Sequence, residues 1–155
     1  MKKYKHLLFD LDRTIWDFET NAKKTLEEIF EKYSLSKYCK TFNEFYVKYK
    51  SVNEQLWKDY RDKTLTQKEL STDRFYLTFK FFGLDNKLLG EEAGRFYLEK
   101  SAEKTILFDG AIDTLAKLKD NYHIHIVTNG FKIVQQNKLK NCGLTAYIDN
   151  LITSE

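Results

Sequence analysis

The chain has 155 residues, of which 42% are hydrophobic and 32% charged, and its formal net charge at pH 7 is +3. This composition favours one globular domain, or a modest core that carries a small second lobe. The lysines alternate with glutamates and form no basic stripe of the kind that binds nucleic acid. No stretch approaches the apolar length of a signal peptide or of a membrane span. We therefore expect no nucleic-acid partner and no membrane partner.

The two cysteines, Cys39 and Cys142, are far apart in the sequence and belong to no metal-binding motif. They favour reduced thiols and a cytoplasmic location, because disulfides persist mainly in oxidising compartments. The chain contains no proline, and we find no internal repeat and no low-complexity tract. Any two lobes must therefore be joined by short connections.

The first predicted element is a strand over residues 5–11 (KHLLFDL), because consecutive apolar residues indicate a strand covered on both faces. Helical patterns then fill residues 17–104. Candidate caps and stop signals are Thr20 or Asn21 for the first helix, Thr41 with Glu44 for the second, Thr66 with Glu69 for the third, and Gly83 at the end of the third. A fourth helix is predicted over about residues 86–101. The many aromatic residues of this region are mostly expected to form its core.

After residue 104 the pattern alternates between helices and strands. It predicts a helix over residues 111–121, a strand over 122–127, a helix over 131–143 and a last strand over 148–153. His123 and His125 share one face of the middle strand. We interpret them as ordinary strand residues with no metal-binding role.

This order predicts an α/β fold, a Rossmann-like parallel sheet with an inserted α-helical cap. We expect residues 1–15 and 106–155 to form the core, which is discontinuous in sequence and incomplete at its carboxyl end. Residues 16–105 would form the cap.

Polar residues interrupt the apolar pattern where two predicted strands end. Asp10 and Asp12 end the first strand, and Thr128, Asn129 and Gly130 end the second. Ligands of open parallel sheets bind at the carboxyl ends of the strands. Two carboxylates on the same side of a strand repel each other and favour a cation. Thr128 and the backbone near Gly130 suit an anion.

These residue types together predict a phosphate substrate and Mg²⁺, a hard cation that prefers oxygen ligands. A carboxylate can attack phosphorus and form an aspartyl-phosphate. A second carboxyl group two residues further on can protonate the leaving oxygen and later deprotonate a water molecule. The expected function is thus Mg²⁺-dependent hydrolysis of a small phosphorylated substrate.

The string FDLDRT resembles the DxDx[TV] signature of the haloacid dehalogenase-like hydrolases, and IVTNG resembles their second motif. The longer string FDLDRTIWDFETNA is similar to the pyrimidine-type 5′-nucleotidases, or house-cleaning nucleotidases, of that superfamily. The resemblance implies that Asp10 is the nucleophile and Asp12 the general acid/base. It also implies that the Asp10 side chain and the Asp12 main-chain carbonyl bind Mg²⁺. Thr128 and the Asn129 amide would hold the phosphoryl group.

Two further motifs of these hydrolases, a phosphate-binding lysine and an acidic pair, have no counterpart in the sequence. Lys132, Lys138 and Lys140 lie on the helix before the last strand, which is the wrong place for that lysine, and we assign none of them to the site. We therefore expect the chain to be the amino-terminal part of a longer protein.

Three functions remain open from the sequence. The leading one is a nucleoside 5′-monophosphate phosphohydrolase, in which Trp16 and Phe18 contact the substrate because they directly follow the catalytic loop. A sugar-phosphate phosphatase or phosphomutase could use the same scaffold. A truncated relative without catalytic activity could instead bind a phosphate ligand or a protein partner.

Overall fold

A computed structural model describes residues 4–154 of the chain. Its helices and strands follow the predicted order: β1 (His6–Phe9), α1 (Phe18–Lys32), α2 (Phe42–Arg61), α3 (Gln67–Phe81), α4 (Lys87–Ala102), α5 (Ala111–Lys119), β2 (His123–Thr128), α6 (Lys132–Asn141) and β3 (Asn150–Thr153). In this part of the chain, no helix is both long and apolar enough to cross a membrane.

The chain divides into two compact units, Met1–Ala22 with Lys100–Glu155, and Lys23–Glu99. Both divisions fall inside helices, because α1 and α4 each contribute residues to both units. The boundaries drawn from the sequence, after residues 15 and 105, stay a prediction for the domains of the protein.

The first unit contains a three-stranded sheet in the order β1-β2-β3, in which both neighbouring pairs are parallel. Helices α5 and α6 connect the strands, as parallel pairing requires. The core of this unit is formed by Leu11, Ile15, Trp16, Leu115, Ile124, Ile126, Leu139 and Leu144. The α/β class predicted from the sequence is confirmed.

The second unit is helical, and its core is rich in aromatic side chains, as predicted. Phe45, Phe75 and Phe79 are almost completely buried. Two glycines of α4 allow it to pack tightly against α3. A Cβ atom at Gly90 would lie 2.6 Å from Cβ of Tyr76, and one at Gly94 would collide with the backbone of Ser71.

Helix α1 begins earlier than expected. Thr20 and Asn21 lie inside it, so the prediction that one of them caps the helix is wrong. Asp17 takes that role, because its carboxylate accepts hydrogen bonds from the backbone N of Thr20 (3.1 Å) and from Thr20 Oγ1 (2.6 Å). Asp17 also lies directly before the first helical residue, the position that an N-cap occupies.

The predicted caps of the next two helices are present. Thr41 accepts the backbone N–H of Glu44, but the Glu44 carboxylate accepts from the backbone N of Lys40, so this capping box is incomplete. Thr66 and Glu69 form both reciprocal bonds of a capping box at the start of α3. The sequence alone could not distinguish these two cases.

The three histidines of the chain lie together on one face of the sheet. His6 Nδ1 lies 2.9 Å from His125 Nε2, and His125 Nδ1 lies 3.0 Å from the side-chain nitrogen of Asn150. The ring of His6 also stacks on that of His123, with 5.0 Å between centroids. These contacts link β1, β2 and β3 through their side chains.

Candidate active site

The ends of β1 and β2 lie side by side. The two strands pair in parallel, with Phe9 beside Ile126. Asp10 follows the last residue of β1, and Thr128 is the last residue of β2. The structure therefore brings the predicted acidic pair and the predicted threonine loop to the same edge of the sheet, where ligands of parallel sheets bind.

A tight turn follows β1 and positions Asp12. The carbonyl oxygen of Leu11 accepts hydrogen bonds from the backbone N of Ile15 (3.0 Å) and of Trp16 (2.9 Å). Arg13 has a φ of 68°, and its backbone N donates to the Trp16 carbonyl at 3.0 Å. Positive φ is uncommon for a residue with a side chain. The turn is thus held by several backbone hydrogen bonds around Asp12.

Both carboxylate oxygens of Asp12 are bound by side chains of α6. Lys138 Nζ donates to Oδ1 at 2.6 Å, and Gln135 Nε2 donates to Oδ2 at 2.8 Å. The same Gln135 nitrogen donates to Thr128 Oγ1 at 2.8 Å. One amide group therefore joins the loop after β1 to the end of β2, and an amide nitrogen has the two hydrogens that this requires.

Thr128 is buried and its hydroxyl oxygen also accepts the backbone N–H of Gly130 at 3.1 Å. Because the oxygen only accepts in these two contacts, the hydroxyl hydrogen is left to donate to another group. Gly130 has a second role that the sequence did not reveal. A Cβ atom there would collide with the side chain of Gln135, so glycine permits the contact between Gln135 and Thr128.

The position of Lys138 contradicts the expectation that no lysine of α6 belongs to the site. Its side chain is 6% exposed, forms an ion pair with Asp12, and lies 3.8 Å from the centroid of the Trp16 ring. Lys132 and Lys140 are exposed, as expected for the outer face of the helix. A buried ammonium requires a counter-charge, and Asp12 supplies it.

Two groups of the site have shifted pKa values. Loss of hydration raises the pKa of Asp10 above its ordinary value, and the charge of Asp12 adds to this, whereas the Leu11 N–H, Lys138 and Arg13 oppose it. Burial lowers the pKa of the Lys138 ammonium, and Asp12 opposes that shift. Shifted carboxyl and amine groups at a strand edge are typical of functional sites.

Comparison with known proteins agrees with this geometry. The profile of the haloacid dehalogenase-like hydrolases matches residues 4–155. The chain belongs to this family. Among its curated relatives are HAD-hydrolase YfnB of Bacillus subtilis (32% identical over 100% of this chain and 63% of the relative) and pyrimidine 5′-nucleotidase PynA of Streptococcus pneumoniae (31%, over 98% and 62%). Pyrimidine 5′-nucleotidase YjjG of Escherichia coli is 30% identical, over 99% and 64%. The chain thus spans slightly less than two thirds of their length.

Solved structures give the same result for the fold. A crystal structure of YfnB from Bacillus subtilis, bound to magnesium, superposes with a TM-score of 0.86 at 29% identity, over 99% of this chain and 64% of that one. The defluorinating L-2-haloacid dehalogenase Rha0230 gives a TM-score of 0.72 at 16% identity, over 97% and 60%. The predicted Rossmann-like fold with a helical cap is confirmed.

The residues at the strand ends fit the oxygen donors that this hydrolase family implies for Mg²⁺. No other side chain in residues 4–154 forms a hydrogen bond or an ion pair with the carboxylate of Asp10, and no backbone N–H there donates to the carbonyl of Asp12. These residues contain no cluster of three or more His, Cys, Asp or Glu arranged for a metal. Mg²⁺ often has one or two protein carboxylates and takes its other ligands from water and substrate phosphate.

Two aromatic residues were predicted to contact the substrate. Trp16 is 1% exposed, lies in the core, and its indole N–H donates to the carbonyl of Lys104 at 3.0 Å. Its ring has no open face, so that prediction is wrong for Trp16. Phe18 is half-buried, with the Arg13 guanidinium 4.3 Å from its ring centroid, and its contact with substrate stays a prediction.

The side chains that bind Asp12 could have been suspected from one feature of the sequence. Gln135 and Lys138 are three residues apart and therefore lie on the same face of α6, next to the apolar Leu139. Polar residues on the buried face of a helix require partners in the interior. Which partners they have depends on the sheet, because Asp12 and Lys138 are 126 residues apart.

Proposed function

We propose that the protein is a Mg²⁺-dependent phosphohydrolase that acts through an aspartyl-phosphate on Asp10. The observation that carries this proposal is a contrast between two neighbouring carboxylates. Asp12 is held by Lys138 and Gln135, whereas Asp10 is exposed and is bound by no other side chain among residues 4–154. A nucleophile must be open to the substrate, and an acid/base group must be held in place.

The steps follow from the positions of these groups. An oxygen of Asp10 attacks phosphorus as the bond to the ester oxygen breaks, and the carboxyl group of Asp12, in its protonated form, gives that leaving oxygen a proton. A water molecule then attacks the phosphorus of the aspartyl-phosphate as its bond to the Asp10 oxygen breaks, and Asp12 takes a proton from that water. Inorganic phosphate leaves, and both carboxyl groups return to the state in which they began. Mg²⁺, when bound, neutralises charge on the transferring phosphoryl group. Thr128, through its hydroxyl hydrogen, and Asn129, through its backbone N–H group, would bind the phosphoryl oxygens, and Gly130 would let the backbone approach them closely.

We further propose that the substrate is a nucleoside 5′-monophosphate. Two relatives, PynA and YjjG, are named as pyrimidine 5′-nucleotidases. Because the chain spans less than two thirds of their length, the substrate is inferred for the complete natural protein. A small phosphorylated substrate agrees with the absence of a basic stripe in the sequence.

The test is hydrolysis of p-nitrophenyl phosphate by the complete natural protein with Mg²⁺. We expect turnover that is lost in Asp10→Asn, a change that preserves shape but removes the nucleophile. The matched control is Asp109→Asn, an exposed carboxylate at a turn, which should retain wild-type turnover. Wild-type turnover in Asp10→Asn would contradict the mechanism.

Substrate class is tested separately with a panel of nucleoside monophosphates and sugar phosphates. Higher kcat/KM for the nucleotides supports the proposed substrate, and the reverse supports a sugar-phosphate phosphatase. Phosphate binding without any turnover would instead indicate a non-catalytic binding protein.

A further inference from the structure

One side-chain nitrogen of α6 is bound to the ends of both β1 and β2. Gln135 is completely buried, and its Nε2 donates to Oδ2 of Asp12 and to Oγ1 of Thr128, each at 2.8 Å. The first acceptor belongs to the proposed acid/base group, and the second belongs to the residue proposed to bind the phosphoryl oxygens. Gln135 therefore contacts two groups that have different tasks in the same reaction.

The orientation of the Gln135 amide is fixed by these partners. A carboxylate oxygen such as Oδ2 of Asp12 only accepts hydrogen bonds, so the amide nitrogen must face it and the amide oxygen cannot. The amide oxygen, Oε1, is inaccessible to water and has no hydrogen-bond partner among residues 4–154. An unsatisfied buried acceptor costs free energy. The amide is thus placed for the two bonds that its nitrogen donates, although its oxygen stays unsatisfied.

A role in stability alone explains this arrangement less well. The ion pair between Lys138 and Asp12 already joins α6 to the loop after β1. A side chain that served only as a second link would be more stabilising if both ends of its amide had partners. Both partners of the Gln135 nitrogen are instead groups that take part in the proposed reaction.

The bond to Thr128 determines the direction in which the threonine hydroxyl donates. A hydroxyl oxygen has two lone pairs and one hydrogen. Gln135 Nε2 uses one lone pair of Thr128 Oγ1, and the backbone N–H of Gly130 uses the other at 3.1 Å. The hydrogen is left for a third group, which is a phosphoryl oxygen in the proposed reaction. Without Gln135 one lone pair is free, and the hydroxyl is no longer held in this direction.

The bond to Asp12 holds the carboxyl group and leaves room for the proton that it transfers. The two oxygens of a carboxylate offer about four acceptor sites. Gln135 uses one site on Oδ2 and Lys138 uses one site on Oδ1, so a further site remains on each oxygen. A general acid is effective only when it is held within reach of the oxygen that it protonates.

We propose that Gln135 is a positioning residue that orients two reacting groups at once, the carboxyl group of Asp12 for proton transfer and the hydroxyl of Thr128 for phosphoryl binding. Its own side chain is buried and acts through these two neighbours. The role rests on the proposed function, because it concerns the same site. It predicts that a single substitution in α6 impairs proton transfer to the leaving oxygen and phosphate binding together.

The first experiment measures proton transfer with two aryl phosphates. Phenyl phosphate releases a more basic oxygen than p-nitrophenyl phosphate, so it depends more strongly on an acid. The value of kcat/KM for the complete natural protein with Mg²⁺ covers the steps up to departure of that oxygen. In Gln135→Met, which retains side-chain length but donates no hydrogen bond, we expect kcat/KM to fall about tenfold more for phenyl phosphate than for p-nitrophenyl phosphate. An equal fall for both substrates would indicate a purely structural role and would overturn the proposal.

The second experiment measures phosphate binding and requires no turnover. Inorganic phosphate is titrated into the complete natural protein with Mg²⁺ in a calorimeter. We expect the dissociation constant to rise about tenfold in Gln135→Met and in Thr128→Ala, because each variant loses the oriented hydroxyl donor. The double variant should bind no more weakly than Thr128→Ala, since both changes act through one hydroxyl. A wild-type dissociation constant in Gln135→Met, or independent effects of the two changes, would overturn the role at Thr128.

Gln136→Met is the matched control. Gln136 is the neighbouring glutamine of the same helix, and its side chain is exposed. This variant should retain the wild-type kcat/KM for both substrates and the wild-type dissociation constant for phosphate. If Gln135→Met does not fold, Gln135→Glu provides the same test with the same shape, because a carboxyl group has at most one hydrogen and cannot donate both bonds. Equal effects of the substitutions at 135 and 136 would overturn the proposal.

Failure of this role is distinguishable from failure of the proposed function. Turnover that persists in Asp10→Asn, or no turnover by the wild type, would contradict the proposed function and with it the role of Gln135 at Asp12. Wild-type turnover that is lost in Asp10→Asn but unchanged in Gln135→Met would overturn only the role of Gln135. If the wild type binds no phosphate, the phosphoryl site at Thr128 is wrong and so is the role of Gln135 there.

Discussion

Lys138 Nζ lies 2.6 Å from Oδ1 of Asp12, a residue 126 positions earlier in the chain. The Asp12 side chain is 22% exposed and that of Lys138 is 6% exposed, so this ion pair is largely shielded from water. It joins α6 to the loop after β1. The pair therefore connects the stability of the core unit to the geometry of the candidate active site.

Replacement of Lys138 by Met should reduce the free energy of unfolding by about 2–4 kcal/mol, because it leaves the Asp12 carboxylate without its counter-charge. Urea unfolding measures this difference. Lys140→Met, on the exposed face of the same helix, should change stability by less than about 0.5 kcal/mol. Equal effects of the two substitutions would mean that the ion pair does not stabilise the fold.

The close contact between Gly130 and Gln135 gives a second prediction. Gly130→Ala should destabilise the protein by about 1–3 kcal/mol, because the new methyl group overlaps the Gln135 side chain. Gln135→Ala in the same chain should remove the overlap and recover part of this loss, as a double-mutant cycle would measure. If the changes in the free energy of unfolding caused by the two substitutions simply add, the proposed overlap between residue 130 and Gln135 is wrong.

The cap of α3 shows which features could be predicted from the sequence. Thr66 and Glu69 are three residues apart, and their two hydrogen bonds depend only on local helix geometry. The alternation of elements is similarly local in origin, and it was enough to predict the order of helices and strands. The strand ends could be placed side by side because parallel neighbours align their carboxyl ends.

The features that could not be predicted from the sequence depend on contacts between residues that are distant in the chain. Trp16 follows the catalytic loop in sequence, but the hydrogen bonds of its backbone turn the indole into the core. The partner of Lys138 depends on how α6 packs on the sheet, because the helical spacing does not show which carboxylate lies opposite its side chain.

Removal of the capping box should weaken α3 measurably. Thr66→Ala eliminates the acceptor for the Glu69 N–H and is expected to cost about 1 kcal/mol. Thr64→Ala, two residues earlier and outside the helix, serves as the control for loss of an exposed threonine. Its hydroxyl donates to the carbonyl of Asp59 and caps no helix start, so we expect a smaller change in the urea midpoint. A larger change for Thr64→Ala would contradict the assignment of Thr66 as the stabilising cap.

Asp149 should make the stability of the sheet depend on pH. Its carboxylate accepts the backbone N–H of Ile124 at 2.7 Å, which lowers the pKa of Asp149, and a contact with His123 acts in the same direction. Because the pKa is lower in the folded state, the stabilisation is present above the ordinary pKa of aspartate, about 3.9, and is lost as the pH falls through the folded value. Asp149→Asn should therefore be less stable than wild type at neutral pH, and the difference should shrink in acid.

Urea unfolding at a series of pH values measures the stability of the wild type and of Asp149→Asn. Asp109→Asn serves as the matched control, because it also removes an exposed carboxylate. Asp109→Asn should follow the wild-type profile, because no side-chain hydrogen bond or ion pair joins Asp109 to another residue in 4–154. A constant difference between wild type and Asp149→Asn at every pH would show that the charge of Asp149 does not stabilise the link between β2 and the residue before β3. A stability difference that grows as the pH falls would mean that folding raises, and does not lower, the pKa of Asp149.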